Sequence, residues 1–199
     1  MKQLILIIAA FLPLLVSAQS AGQGVEKRQS KMDLFVSQTG KIVKLTDYKT
    51  EGLSGGFAFV STKSDCCVRK VESGGDVKYF YRIEKKNKEN NGSVAYIEYA
   101  DLLEVIRAVE KMIGEMDADI LSKPDYLENT FKTVDYFIVG YSVEKKDISW
   151  FIRLEEYGYD KYLRFQDKGK DGGAYILDNF KKAAAMIEEM MRQDGTNAG

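Results

Sequence analysis

A change of hydrophobic period, made twice, limits this chain's fold more than any other feature of its sequence. In VKYFYRIE, Val77, Tyr79, Tyr81 and Ile83 fall on one side, and Lys78, Phe80, Arg82 and Glu84 on the other. In ISWFIRLE, Ile148, Trp150, Ile152 and Leu154 share a side, opposed by Ser149, Phe151, Arg153 and Glu155. DYFIVGYSVE alternates likewise through Phe137, Val139, Tyr141 and Val143. A period of two is the mark of a strand. GFAFVST and CCVRKV are shorter strand candidates. Turn residues such as Ser73-Gly74-Gly75-Asp76 and Lys145-Lys146-Asp147 separate the runs, so neighbouring strands are expected to pair antiparallel.

The period then becomes helical in two places. Leu102, Val105, Ile106, Val109, Met112, Ile113 and Met116 form one stripe, and Phe180, Ala183, Ala184, Ile187, Met190 and Met191 a second. Spacings of three and four put each set on one helix face. Asp101 and Asp178 read as residues near the helix starts, with Gly114 and Gly195 near the ends. The predicted fold class is α+β: two tandem copies of an antiparallel β-meander followed by one α-helix, with the helices packed on the sheet.

A paired phrase supports the duplication. VAYIEYADLLEVIRAVEKMI (94–113) resembles GAYILDNFKKAAAMIEEMM (173–191), and upstream YRIEKK (81–86) lies over LRFQDK (163–168). This register places Tyr96 over Tyr175 and Arg82 over Arg164. The units are read as 32–119 and 120–193 around one core, with Ile120 to Asn129 as the link and 194–199 as a tail. They could share a continuous sheet or form two layers. The order of elements, strands then a helix in duplicate, is similar to that of PUR-repeat proteins and the TATA-binding fold. The likeness rests on order alone and implies nothing about function.

The N-terminus, MKQLILIIAAFLPLLVSAQS, has Lys2 before an apolar run and small residues up to Ala18. That is the pattern of a signal peptide spanning 1–18. Residues 19–31 read as a disordered lead. No later run is apolar enough to span a bilayer. A secreted protein, periplasmic or extracellular, is the expected localisation.

The whole chain carries 29 basic and 30 acidic residues and no His. Near-neutral charge makes nucleic acid an unlikely partner. Without His, the Ser–His–Asp and Cys–His mechanisms are excluded, and the commonest zinc ligand is missing. No phosphate loop, dinucleotide fingerprint or CxxC pair occurs. No cofactor and no metal ligand is assigned.

The only cysteines are adjacent, Cys66 and Cys67. Neighbours on a strand point to opposite faces, which favours free thiols with one of them buried, with a vicinal or intermolecular disulfide as the alternative. They are weak redox candidates. Weak ligand-binding candidates are Tyr79, Tyr81, Tyr162 and Tyr175, as aromatic stacking surfaces, and Glu155, Glu156, Tyr157 and Asp160, as oxygen ligands. Core packing and a solvated turn explain the same residues without a ligand. The leading function is a secreted non-catalytic binding or interaction protein, whose partner is a protein, a glycan or another cell-envelope component. The alternatives are a nucleic-acid- or glycan-binding sheet and, behind it, a carboxylate-based enzyme. A binding protein predicts an aromatic sheet face left uncovered by helices.

Overall fold

The computed structural model describes residues 29–57, 59–85, 92–158 and 160–195. The expected signal peptide lies outside them.

The chain opens with α1 (Lys31–Val36), where the lead was expected to continue to Lys31. Ser30 caps it: its side chain accepts from the Asp33 N–H, and the Asp33 carboxylate accepts from the Ser30 N–H. This capping box satisfies donors that a six-residue helix would otherwise leave free. Then follow β1 (Val43–Thr50), the short hairpin β2 (Ser54–Phe57) and β3 (Val60–Lys63), and β4 (Asp65–Ser73), β5 (Asp76–Lys85) and β6 (Ser93–Glu98). The helix α2 (Tyr99–Leu121) closes the first unit. The second unit runs β7 (Leu127–Lys132), β8 (Ile138–Glu144), β9 (Asp147–Arg153) and β10 (Tyr162–Arg164). A 3-10 turn (Gln166–Asp171) and α3 (Gly172–Gln193) complete it.

The fold is α+β, with each meander followed by its helix. The first sheet has the order β1-β4-β5-β6 and the second β10-β9-β8-β7, all antiparallel, with the β2–β3 hairpin as a separate ladder. The two sheets are separate hydrogen-bonded ladders, and their inner faces share one apolar core. Val68, Tyr81, Ile83 and Ile97 enter it from the first sheet. Val139, Tyr141, Trp150 and Ile152 enter from the second. Both helical stripes face this core: Ile106 and Val109 are buried on α2, and Ala184 and Ile187 on α3. The helices cross between units. α2 touches β7 and β8 as well as β5 and β6, and α3 touches β4 and β5 as well as β9. Phe180 of α3 meets Tyr81 of the first sheet and Phe137 of the second, edge to face, at 5.9 and 6.1 Å.

Several local expectations are corrected. Tyr96 lies on β6 but Tyr175 on α3, so the register pairing GAYIL with VAYIE fails. The helix begins early because Ile176 extends the stripe of Phe180, Ala183, Ala184 and Ile187 by one turn. Gly172 and Gly173 let that first turn lie on Trp150, where an added Cβ at Gly173 would come within 2.5 Å of the indole. Asp178 is therefore inside α3, ion-paired to Lys182 at 2.8 Å. Asp101 is in the first turn of α2 and bonds Lys31, with no cap made at that end. Gly114 is inside α2, which runs on to Leu121. Part of the expected link is strand β7. GFAFVST is split between β2 and β3. Asp194, expected in a loose tail, pairs with Lys70 at 2.7 Å and accepts from Tyr79.

A candidate anion-binding face on the second sheet

The two sheets reveal the true repeat. The β4–β5 hairpin turns through Gly74 and Gly75, and the β8–β9 hairpin through Lys145 and Lys146, all four at positive φ. Two-residue turns with this backbone match the twist of paired strands. Aligned on these turns, DVKYFYRIE (76–84) lies over DISWFIRLE (147–155), so that Arg82 corresponds to Arg153. Arg82 pairs across the ladder with Tyr96, and Arg153 with Tyr162. Each sheet thus carries a phenylalanine, an arginine and a tyrosine on its outer face: Phe80, Arg82 and Tyr96 on one, Phe151, Arg153 and Tyr162 on the other.

The outer face of the first sheet is filled. α1 lays Met32 and Phe35 over Val71 and Phe80. Lys31 fastens the helix, its ammonium 2.7 Å from Asp101 and 3.4 Å from Glu98, and its backbone N–H donating to Asp135. Arg69 makes a two-pronged pair with Asp47 at 2.6 and 2.7 Å and lies 5.3 Å from the Tyr96 ring centroid. The hydrogen bond from Arg69 holds the Asp47 carboxyl below its usual range. Arg82 pairs with Glu84 at 2.7 Å.

The second sheet differs at the matching positions. Gly140 stands where Arg69 stands, and Thr130 where Asp47 stands. Glycine is needed there because an added Cβ would come within 2.3 Å of the Asn129 carbonyl oxygen. Glu98 is replaced in the register by Arg164, since Phe80 pairs with Glu98 and Phe151 with Arg164. The result is a groove of about 130 Å³ lined by Tyr126, Glu128, Phe151, Arg153, Tyr162 and Arg164, among others.

The groove's electrostatics are unbalanced. Among the described residues no carboxylate lies within ion-pair distance of Arg153 or Arg164, whereas Arg82 has Glu84. The Nε–H groups of Arg153 and Arg82 are both buried without a hydrogen-bond partner. The Arg164 guanidinium carbon is 5.0 Å from the Tyr162 ring centroid and 5.3 Å from that of Phe57. Phe151 and Tyr162 meet edge to face at 6.0 Å. Stacking engages the guanidinium through its faces and fixes its orientation, leaving the N–H edge as its hydrogen-bonding surface. Glu128 is the one acid on the groove wall, and it accepts from the Tyr126 hydroxyl at 2.7 Å. The site can bind a carboxylate or phosphate through forked N–H donors, with aromatic rings beside it.

The residues singled out in the sequence are dispersed. Tyr162 alone lines the groove. Tyr79 and Tyr81 are buried in the core, Tyr81 donating to Asn179, so neither offers a stacking surface. Tyr175 accepts from the Ser54 N–H at 3.0 Å and packs on Phe165. Asp160 is paired with Lys85 at 2.5 Å. Glu155, Glu156 and Tyr157 line a different cleft, of about 250 Å³, between α1, β6 and the loops before β8 and after β9. Asp33 and Asp135 also line it, but both hold the start of α1. Burial raises the Asp135 carboxyl above its usual value. Cys66 and Cys67 are free thiols, both buried. Burial pushes the Cys67 thiol up, the opposite of what a reactive thiolate requires. Among the described residues no group of three or more His, Cys, Asp or Glu side chains could hold a metal ion. No helix among them is long and apolar enough to cross a membrane.

Arg153, Arg164, Gly140 and Tyr126 were absent from the sequence candidates. Arg153 was visible as an outer-face residue of an alternating strand. Its lack of an ion-pair partner could not be read from the strand, since Arg82 pairs with Glu84 two residues on and Glu155 stands at the matching place after Arg153. No family model, no curated protein and no solved structure matches this chain, so the likeness to PUR-repeat and TATA-binding folds remains one of element order.

Proposed function

We propose that this chain is a non-catalytic binding protein that holds an anionic group, carboxylate or phosphate, on the uncovered face of its second sheet. The observation that carries the reading is the pair Arg153 and Arg164, without carboxylate partners where the first sheet neutralises its own arginines. Retaining a half-buried guanidinium beside aromatic rings with no acid within ion-pair distance costs solvation, and an anionic ligand would recover it. The N-terminal pattern supports a secreted protein working in the periplasm or outside the cell. There an acidic glycan, an acidic protein segment or another envelope component could supply the anion. Mass spectrometry of the exported protein should find a chain beginning at Gln19.

Calorimetric titration of the protein with inorganic phosphate and with galacturonate tests the site. Saturable, salt-sensitive binding is expected. Arg153→Gln and Arg164→Gln should each weaken it about tenfold or more, because a hydrogen bond to a charged group contributes roughly 1.5–3 kcal/mol. Arg82→Gln, on the filled sheet, should leave it unchanged. An absence of saturable binding to either anion, or equal loss in Arg82→Gln, would overturn the reading.

A further inference from the structure

The β2–β3 hairpin is an insertion found only in the first unit. Between β1 and β4 the chain spends residues 51–64 on it, whereas β7 and β8 are joined by residues 133–137 alone. The insertion folds onto the second unit. The Gly56 N–H donates to the Asp167 carboxylate at 2.8 Å, the Ser54 N–H to the Tyr175 hydroxyl, and the Thr62 hydroxyl to the Arg164 carbonyl at 3.4 Å. Its base is packed closely enough that an added Cβ at Gly55 would fall 2.4 Å from the Arg164 carbonyl oxygen. The hairpin is thus mounted on the strand that carries the groove's outer arginine.

Its far end is apolar and bare. Phe59 is fully exposed, Val60 is 64% exposed and Phe57 45%, and Phe57 lies beside the Arg164 guanidinium. Large apolar side chains grouped in this way mark a surface meant to be covered. Here they stand on a projecting tip, a shape that enters a soft apolar medium more readily than it complements a second folded surface. The cation beside it is Arg164, which shares its groove with Arg153, and among the described residues neither has a carboxylate within ion-pair distance. Apolar insertion combined with charge attraction is the pairing that holds a peripheral protein on an anionic bilayer, since a single weak signal gives only marginal binding.

We infer that the anion recognised at Arg153 and Arg164 is the phosphate of an anionic lipid headgroup in a bilayer, and that Phe59 and Val60 insert beneath it. This rests on the anion-binding reading and names the source of the anion. The headgroup phosphate sits against the forked N–H donors of Arg164, while the hairpin tip reaches the acyl boundary beside it. The step is reversible docking and involves no covalent change.

Vesicle flotation with the full chain tests the inference. Vesicles of phosphatidylcholine alone are compared with vesicles containing phosphatidylglycerol. The protein should float with the second and stay in solution with the first. Phe59→Ser with Val60→Ser should lose flotation by about tenfold while leaving inorganic phosphate binding unchanged. These side chains are exposed, so the fold should survive, which circular dichroism checks. Arg164→Gln should lose both. If the protein binds inorganic phosphate but ignores anionic vesicles, the lipid inference fails and the anion-binding reading stands. If the Phe59/Val60 variant floats as well as the parent, insertion is wrong. If neither phosphate nor vesicles bind, both readings fall.

Discussion

Gly173 and Gly114 are both helical glycines, and their surroundings make opposite demands. An alanine Cβ at Gly173 would press on Trp150 and Ile113 at 2.5–2.9 Å, whereas Gly114 has nothing within 4 Å. Gly173→Ala should therefore destabilise by ~1–3 kcal/mol through overpacking. Gly114→Ala should stabilise by ~0.5–1 kcal/mol through helix propensity. Urea midpoints moving in opposite directions would check this. Asp47 gives a second test. Its folded-state carboxyl is held below the usual value, chiefly by the Arg69 hydrogen bond. Its stabilisation is present above the unfolded value of about 4 and is lost as pH falls through the lower folded value. Asp47→Asn should be less stable than the parent at neutral pH, and the gap should close on acidification. A gap constant from neutral to acid pH would contradict the pairing. Both residues show how far local pattern reaches. Glycine can be read from the sequence, but whether an indole lies over it cannot.

The amphipathic stripes of α2 and α3 were legible because a period of three and four is written locally. Ile106 is buried in the shared core, so Ile106→Ala should cost ~2–5 kcal/mol. Lys111, 78% exposed on the same helix, should tolerate Ala within about 0.5 kcal/mol. Equal denaturation midpoints for the two would be inconsistent with the packing of α2. The start of α3 was less legible. Ala174-Tyr175-Ile176-Leu177 follows a strand-like run and a glycine pair, and it reads equally well as strand. Packing on Trp150 and the continuation of the stripe through Ile176 decide for helix. α1 was missed because six residues carry too little periodicity to register. It exists because Met32 and Phe35 cover Phe80 and Lys31 is clamped by Asp101.

At the scale of the molecule, neither unit owns a complete core. α3 supplies Phe180 and Asn179 to Tyr81 of the first sheet, and α2 lies against β7 and β8. A chain of residues 29–122 should therefore lack cooperative unfolding and show poorly dispersed amide resonances. The full chain should unfold in one transition, with tyrosine and tryptophan signals coinciding. Separate transitions for the two probes would show that the units are independent.

By itself the sequence determined the fold class, the meander-then-helix order, the buried stripes and the central Trp150. Each of these is set by the spacing of apolar residues along a few turns or pleats. Tertiary structure alone decided the register of the repeat, the start of α3 and the position of the candidate site. The paired phrases GAYIL and VAYIE look alike but occupy helix and strand. The less conspicuous match of DVKYFYRIE with DISWFIRLE is the structural one. The groove at Arg153 and Arg164 depends on what stands across the ladder, a glycine in place of Arg69 and Arg164 itself in place of Glu98. Charge balance between strands is a property of their pairing in space, and no single strand's sequence contains it.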